Sequence, residues 1–375
     1  ERSAQNGVEV QILNAEETLK LEPNLNKNVK GSLLAPSAGI VNPFTLSVHA
    51  IENAVDNGVK LFLEEKVVSI KKNNGFYNII CESGNTYQAK LIINCAGIYS
   101  DEIHKMIEPI DYYLTPRKGE YFILDHYTDD LVNHTIFPLP SEKGKGILIT
   151  PTTSGNYLMG PSSEIIDDYD DVSTDKPTLD IVKNQILDMV PSVPLQKIIR
   201  TFAGNRPTTT RHDFIVEYAK TDKHFINVAG IESPGFVSSP AIAQYVVNEL
   251  VGSVISLKEK KNYNPRVRKH PVLFDMSLED REKYVKENPE YGQIICNCEK
   301  ISFGEIKDTL SRNVAPRSVK GVKKRCRAGF GLCQGGFCQS KVVDILAHHY
   351  GISPLDVLYA DEESNILVNK IKEGE

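Results

Sequence analysis

Four cysteines near the end of the chain constrain its folding more tightly than any hydrophobic pattern does. Cys296 and Cys298 form C-x-C, and Cys333 and Cys338 form C-x4-C, with a long connecting stretch between the pairs. Two thiolate pairs reach one inorganic centre only if the connection folds back, so this stretch must form a compact module. Structural zinc favours C-x2-4-C hooks, whereas a [2Fe-2S] cluster is larger and tolerates unequal pair spacings. The pattern favours iron–sulfur over zinc, and either over unligated thiols. Gly329, Gly331, Gly335 and Gly336 let backbone N–H groups turn towards cluster sulfurs, and Lys323, Lys324, Arg325 and Arg327 offset the thiolate charge. The same glycines imitate a nucleotide loop, but no convincing strand precedes them. Cys326 is a fifth nearby thiol, while Cys81 and Cys95 sit in β-rich runs and read as small buried hydrophobes.

The remainder is too long for one ordinary core: 375 residues imply two or more domains. A hydrophobic content of 41% and a charged content of 25% are those of a soluble globular protein. The net charge of −6 gives no reason to expect nucleic acid as a partner. No apolar run is long enough for a membrane helix, and the start ERSAQNGVEV carries no signal-peptide pattern. Seven cysteines without a secretory signal indicate metal or redox chemistry, and a cytoplasmic location is expected.

Asn42 caps a helix with Pro43 at its first position; Phe44, Val48, Ile51 and Val55 repeat at helical spacing, and Asn57-Gly58 stops it. The runs LFLEEKVVSIKK, FYNIICES and TYQAKLIINCAG, separated by turn residues, predict an antiparallel meander ending at Cys95-Ala96-Gly97. A second mostly β layer is expected from about Tyr112 to Tyr218, interrupted by DDYDDVSTDKP, read as a solvated loop, and the helix LDIVKNQILDMV. HFINVAG reads as a strand, followed by a Ser-Pro-Gly loop and a helix capped by Ser239 with Pro240 in its first turn. The positive end of that helix suits an electron-rich ligand. The expected division is a first region 1–252, a polar, proline-spaced linker 253–290, a cysteine module 291–345 and a helical tail 346–375.

CNCEKISFGEI and RCRAGFGLCQGGFC resemble the bacterioferritin-associated-ferredoxin-like [2Fe-2S] domain, in the version appended to anaerobic-type, flavin-dependent glycerol-3-phosphate dehydrogenases. The resemblance implies Cys296, Cys298, Cys333 and Cys338 as ligands, without Cys326. Upstream, AGIVNPFTL, EEKVVSI, LIINCAGIYSDEI, PRKGEYF, TPTTSGNYLMGPSSE, RTFAGNRPTTTRHDF and VAGIESPGFVSSPAIA resemble the D-amino-acid-oxidase-like flavoprotein superfamily. The fold class so implied is α/β (α+β): an incomplete FAD-binding flavoprotein fold with an antiparallel substrate-domain sheet, plus a small helical iron–sulfur domain. FAD contacts are implied at Val67, at Cys95, Ala96 and Gly97, and along Gly230, Ile231, Gly235, Phe236 and Val237. The G-x-G-x-x-G fingerprint that opens such proteins is absent and is expected upstream of Glu1, in a longer chain.

The implied chemistry is hydride transfer from a substrate C–H to a flavin. Arg206, in AGNRP, matches the superfamily arginine that holds the substrate's anionic group; Lys118 and Arg211 are second-rank anion contacts. Among His49, His104, His134, His212 and His224 no general base stands out, although His212 is slightly preferred because it is expected to lie in the arginine strand. The expected function is oxidation of sn-glycerol 3-phosphate to dihydroxyacetone phosphate, with electrons passing through the cluster to an acceptor protein, peripheral to a membrane complex. An L-2-hydroxyglutarate-type dehydrogenase is the enzymatic alternative, since Arg206 suits a carboxylate equally. A non-catalytic electron-transfer or metal-binding fragment is the third reading.

Overall fold

The computed structural model describes residues 2–126, 131–140 and 145–369. They divide into two compact units, Glu1–Gly39 with Phe62–Lys261 and Ile40–Leu61 with Asn262–Glu375.

The first unit is built on a five-stranded antiparallel sheet in which Leu114–Leu124 pairs along its length with Ile198–Thr209. Tyr157–Gly160 and Glu164–Ile165 also pair with Leu114–Leu124, and Leu148–Pro151 pairs with Tyr157–Gly160. The helix Lys176–Met189, capped by Asp175 with Pro177 in its first turn, buries Val182 and Ile186 against Leu124, Ile149 and Met159. A three-stranded antiparallel sheet is formed by Val67–Asn73, Phe76–Cys81 and Thr86–Ala89.

The expected third run of that meander divides in two. Thr86–Ala89 stays in it, but Ile92–Asn94 joins another sheet, parallel to Phe225–Ala229, which pairs in turn with Ile215–Tyr218. RHDFIVEY accordingly belongs to this smaller sheet and not to the large β layer. The division follows from pairing: the Ile92 N–H donates to the His224 carbonyl at 2.9 Å, so the chain has left its hairpin partner by then.

A buried polar network ties the two parallel strands together. The Asn94 side chain donates to Ser100 O at 2.7 Å and to Asn227 Oδ1 at 3.1 Å. The Asn227 amide reaches His104, whose Nε2 lies 3.0 Å from Glu108 Oε1 and whose Nδ1 lies 3.1 Å from the Tyr112 hydroxyl.

In the second unit, the strands Ile294–Cys296 and Ile301–Ser302 form a small hairpin before the helices Phe303–Leu310, Val319–Cys326 and Gln339–Tyr350. Ser302 and Glu305 make a capping box, and Ile306, Val322, Val342 and Leu346 fill the core. The helix Pro43–Asp56 belongs to this unit, with Asn42 capping it as expected.

Two expected segments take other forms. Inside the stretch 253–290, read as a linker from its polarity, lie a buried Leu273 and the helix Leu278–Glu287, capped by Ser277. The tail 346–375 completes the helix Gln339–Tyr350 and then, after left-handed Gly351, continues as a Pro354–Asp356 turn and a bridge between Leu358 and Asn365. Residues 370–375 of that call lie outside the described residues.

Burial alone would raise the Glu108 carboxyl, but hydrogen bonds from the Thr221 hydroxyl, from the Lys220 and Thr221 N–H groups and from His104 hold it below the usual glutamate range. A depressed carboxylate stabilises the fold above its unfolded-state value, and that contribution disappears as pH falls through the folded value. Glu108→Gln is therefore expected to lower stability by about 3 kcal/mol at neutral pH, with the difference shrinking in acid. Urea unfolding midpoints across the acid range test this; a wild-type advantage undiminished in acid contradicts it.

Candidate active site and metal centre

The long pairing sets Arg206 opposite Arg117 and Asn205 opposite Lys118. Opposed residues of an antiparallel ladder point to one face, and neighbours along a strand to opposite faces. Arg117 and Arg206 therefore share a face. Arg117 pairs with Glu232, whose carboxylate also accepts from the Thr208 hydroxyl at 3.3 Å. Arg206 donates through Nε to Arg117 O at 3.2 Å and through Nη2 to Ser162 O at 2.8 Å. Its Nη1 makes no hydrogen bond among the described residues. Gly119 makes the room, since a β-carbon there would stand 3.0 Å from the Arg206 guanidinium and 2.8 Å from Pro161. Burial, then the adjacent Arg117, lowers the Arg206 pKa, yet a guanidinium remains charged and is best relieved by an anion.

Lys118 lies on the opposite face. Its Nζ is 2.9 Å from Asp171 and 3.7 Å from Glu120, while Asn205 donates to the Tyr169 and Asp171 carbonyls. The acidic run read as a solvated loop is thus a strap fastened to the sheet, and Tyr169 extends it with a hydrogen bond to Leu114 O at 2.5 Å. The Lys118 charge is engaged there, and Arg211 is engaged by Asp111 and Glu217.

The stretches Cys95–Gly97 and Gly230–Val237 leave the same ends of two adjacent parallel strands, the place where open α/β sheets take ligands. Gly230 has φ +65°, and a β-carbon there would lie 2.0 Å from the Thr209 methyl; one on Gly235 would lie 2.3 Å from Ile231. Gly97, at φ +60°, faces open space; Cys95, expected to be a small buried hydrophobe, is exposed, and Phe236 and Val237 are exposed as well. Bare backbone at these points suits close approach of a flavin. Val67 opens the separate meander sheet, opposite Cys81.

The helix expected to begin at Ser239 begins at Gly235 and runs to Tyr245, with Pro240 inside it. Pro240 cannot donate to the Phe236 carbonyl one turn back, and the Ser239 hydroxyl does so at 2.8 Å. Sequence reading took this serine for a cap because caps and such interior substitutes use the same residue types.

It also missed four residues near the turn: Arg117, Glu232, Ser233 and Lys145, whose Nζ lies 3.4 Å from Ser233 Oγ. Strand alternation separates Arg117 from Lys118 only once the register with Arg206 is known. Of the histidines, His104 is locked in its network, His134 against Glu22 and His224 against Asp222; His212, expected in the arginine strand, lies beyond its end at Thr209 in a left-handed turn, and His49 belongs to the second unit.

In the second unit, the four expected metal ligands converge. Cys298 Sγ lies 3.5 Å from Cys333 Sγ, and Cys296 and Cys338 form the second, buried pair. A hydrogen bond from Cys338, aided by the Gly329 N–H at 3.4 Å, holds Cys296 down at about 6, and Cys338 is pushed up correspondingly. Two sulfur pairs, one buried and one at the surface, fit the two irons of a [2Fe-2S] cluster. Gly331 is required beside them: a β-carbon would stand 2.4 Å from Cys298 Cβ. Cys326 points away, its thiol donating to Val322 O at 3.4 Å, and burial raises it to about 12. It packs in the core of the module.

Residues 1–249 match the FAD dependent oxidoreductase family, and residues 294–348 match the BFD-like [2Fe-2S] binding domain. A glycerol 3-phosphate dehydrogenase of Caloramator mitchellensis is 42% identical over 99% of this chain and 78% of its own length. The anaerobic glycerol-3-phosphate dehydrogenase subunit A1 of Haloferax volcanii is 22% identical over 92% of this chain and 65% of its own. Among solved structures, dithionite-reduced L-alpha-glycerophosphate oxidase of Mycoplasma pneumoniae with FAD bound superposes with a TM-score of 0.64, at 30% identity, covering 68% of this chain and 67% of the other. No helix among the described residues is long and apolar enough to cross a membrane. With bare glycine turns in one unit and paired thiols in the other, the chain belongs to the FAD-dependent oxidoreductases that carry a BFD-like [2Fe-2S] domain.

Proposed function

We propose that the complete enzyme oxidises sn-glycerol 3-phosphate to dihydroxyacetone phosphate and delivers the electrons to an acceptor protein. The observation that carries this reading is the cationic face of the large sheet, where Arg206 keeps Nη1 uncommitted beside the Gly230–Gly235 turn. Bound flavin supplies hydride acceptance, and a bound [2Fe-2S] cluster supplies one-electron carriage.

Arg206 binds the phosphate, with Lys145 at Ser233 as a second cation. Glu232 holds Arg117 in place and reduces repulsion between the two guanidiniums. The N-terminal end of the helix Gly235–Tyr245 would stabilise negative charge on a flavin held at the Gly230–Gly235 turn. Near the thiols, the surface pair Cys298 and Cys333 marks the exit, with Leu332 and Phe337 exposed on either side of Cys333 for a partner to cover.

The Caloramator relative supports the phosphate substrate over a hydroxy acid, because its match runs through both the flavoprotein region and the cysteine module. The complete holoenzyme should turn over glycerol 3-phosphate well ahead of L-2-hydroxyglutarate; the reverse preference rejects the assignment. Arg206→Met is expected to raise KM for glycerol 3-phosphate by roughly 10- to 100-fold, the value of a charge-assisted contact, with a smaller change in kcat. An unchanged KM removes Arg206 from the anion site.

Cys333→Ser should abolish the reduced-cluster EPR signal while stopped-flow reduction of the flavin by substrate continues. Electron delivery to the acceptor should stop. Zinc in place of iron in the wild-type protein overturns the cluster assignment.

A further inference from the structure

The helix Pro43–Asp56 lies by sequence inside the oxidoreductase match, yet it folds with the cysteine module in the second unit. Its hydrogen-bonding residues make much of that attachment. Glu52 is the one residue of the helix that is buried. Arg312 meets it through two parallel bonds, Nε to Oε1 at 2.7 Å and Nη2 to Oε2 at 2.9 Å, with side-chain exposures of only 6% and 3%. Arg312 Nη2 also donates to Arg268 O at 2.6 Å.

Around this pair, the Asn53 and Asn57 amides both donate to Asn264 O, at 2.9 and 2.8 Å, and Asn313 donates to Asp56 at 2.5 Å. Residues 52, 53, 56 and 57 form one stripe at helical spacing. At the N-terminal end of the helix, the Phe44 ring lies 6.4 Å from that of Phe330, three residues before the ligand Cys333, and Lys324 Nζ lies 5.4 Å from the Phe44 ring.

We propose that the helix Pro43–Asp56 is the seat of the iron–sulfur module in the assembled enzyme, and that the buried Arg312–Glu52 pair locks the module onto it. A fork-to-carboxylate pair imposes both a distance and a plane, and once desolvated it tolerates no partial separation. The flanking amides and the ring contact are exposed and too weak to substitute. A module so seated keeps one packing within the second unit, and loosening it is expected to slow electron arrival at the cluster. The electron-transfer arm of the test rests on the function proposed above; the exchange arm does not.

Hydrogen exchange of the full-length holoenzyme compares wild type with Arg312→Met and Glu52→Gln. Exchange over 43–56 and 303–326 is expected to accelerate about 100-fold, with 198–209 unchanged. The double variant Glu52→Arg/Arg312→Glu should recover part of the protection. Unchanged protection of 43–56 overturns the lock, and so does a uniform loss across both units, which reports general destabilisation only. In stopped flow, flavin reduction by glycerol 3-phosphate should keep its rate while cluster reduction slows about tenfold or more. Cluster reduction at the wild-type rate, with exchange nevertheless raised, overturns the role of the seat in electron passage.

Discussion

The ladder between Leu114–Leu124 and Ile198–Thr209 is the constraint on which the candidate active site depends. Side chains alternate faces along a strand, so a slip of one residue would exchange Arg206 for Asn205 and turn the guanidinium towards the acidic strap. Both faces resist such a slip. On one, Arg117 is tied to Glu232 in the turn after Phe225–Ala229; on the other, Lys118 is buried against Asp171 and Glu120. Two sets of opposite charges therefore hold one register, and Arg206 inherits its position from them.

The same arrangement explains why two guanidiniums can stand close together. Glu232 neutralises one, and backbone carbonyls of Arg117, Lys118 and Ser162 orient the other. Neutral dipoles aim Arg206 and leave its charge without a carboxylate partner among the described residues, whereas Lys118 and Arg211 are paired with carboxylates.

What the sequence reveals here depends on how local each signal is. The gathering of Cys296, Cys298, Cys333 and Cys338 in one module was legible because thiolate spacing is a local signal, and the start of Pro43–Asp56 because Asn42 caps it across one turn. The stripe Phe44, Val48, Ile51 and Val55 predicts the helix correctly, yet Phe44 and Ile51 remain exposed while Glu52 is buried. Its partner, Arg312, lies 260 positions away, beyond any periodic pattern. The choice between Lys118 and Arg117, the departure of Ile92–Asn94 from its hairpin and the early start of the helix at Gly235 fail for the same reason. Each is decided by a partner strand or a backbone carbonyl that no short window contains.

Because residues 40–61 fold with 262–375, the chain passes between its two units at three places. The ferredoxin-like part is consequently not a cassette that one cut could excise. Severed near Lys261, it would leave behind the helix bearing the carboxylate that neutralises the largely buried Arg312. Transplanting the module to another flavoprotein would require carrying Glu52 and its neighbours along.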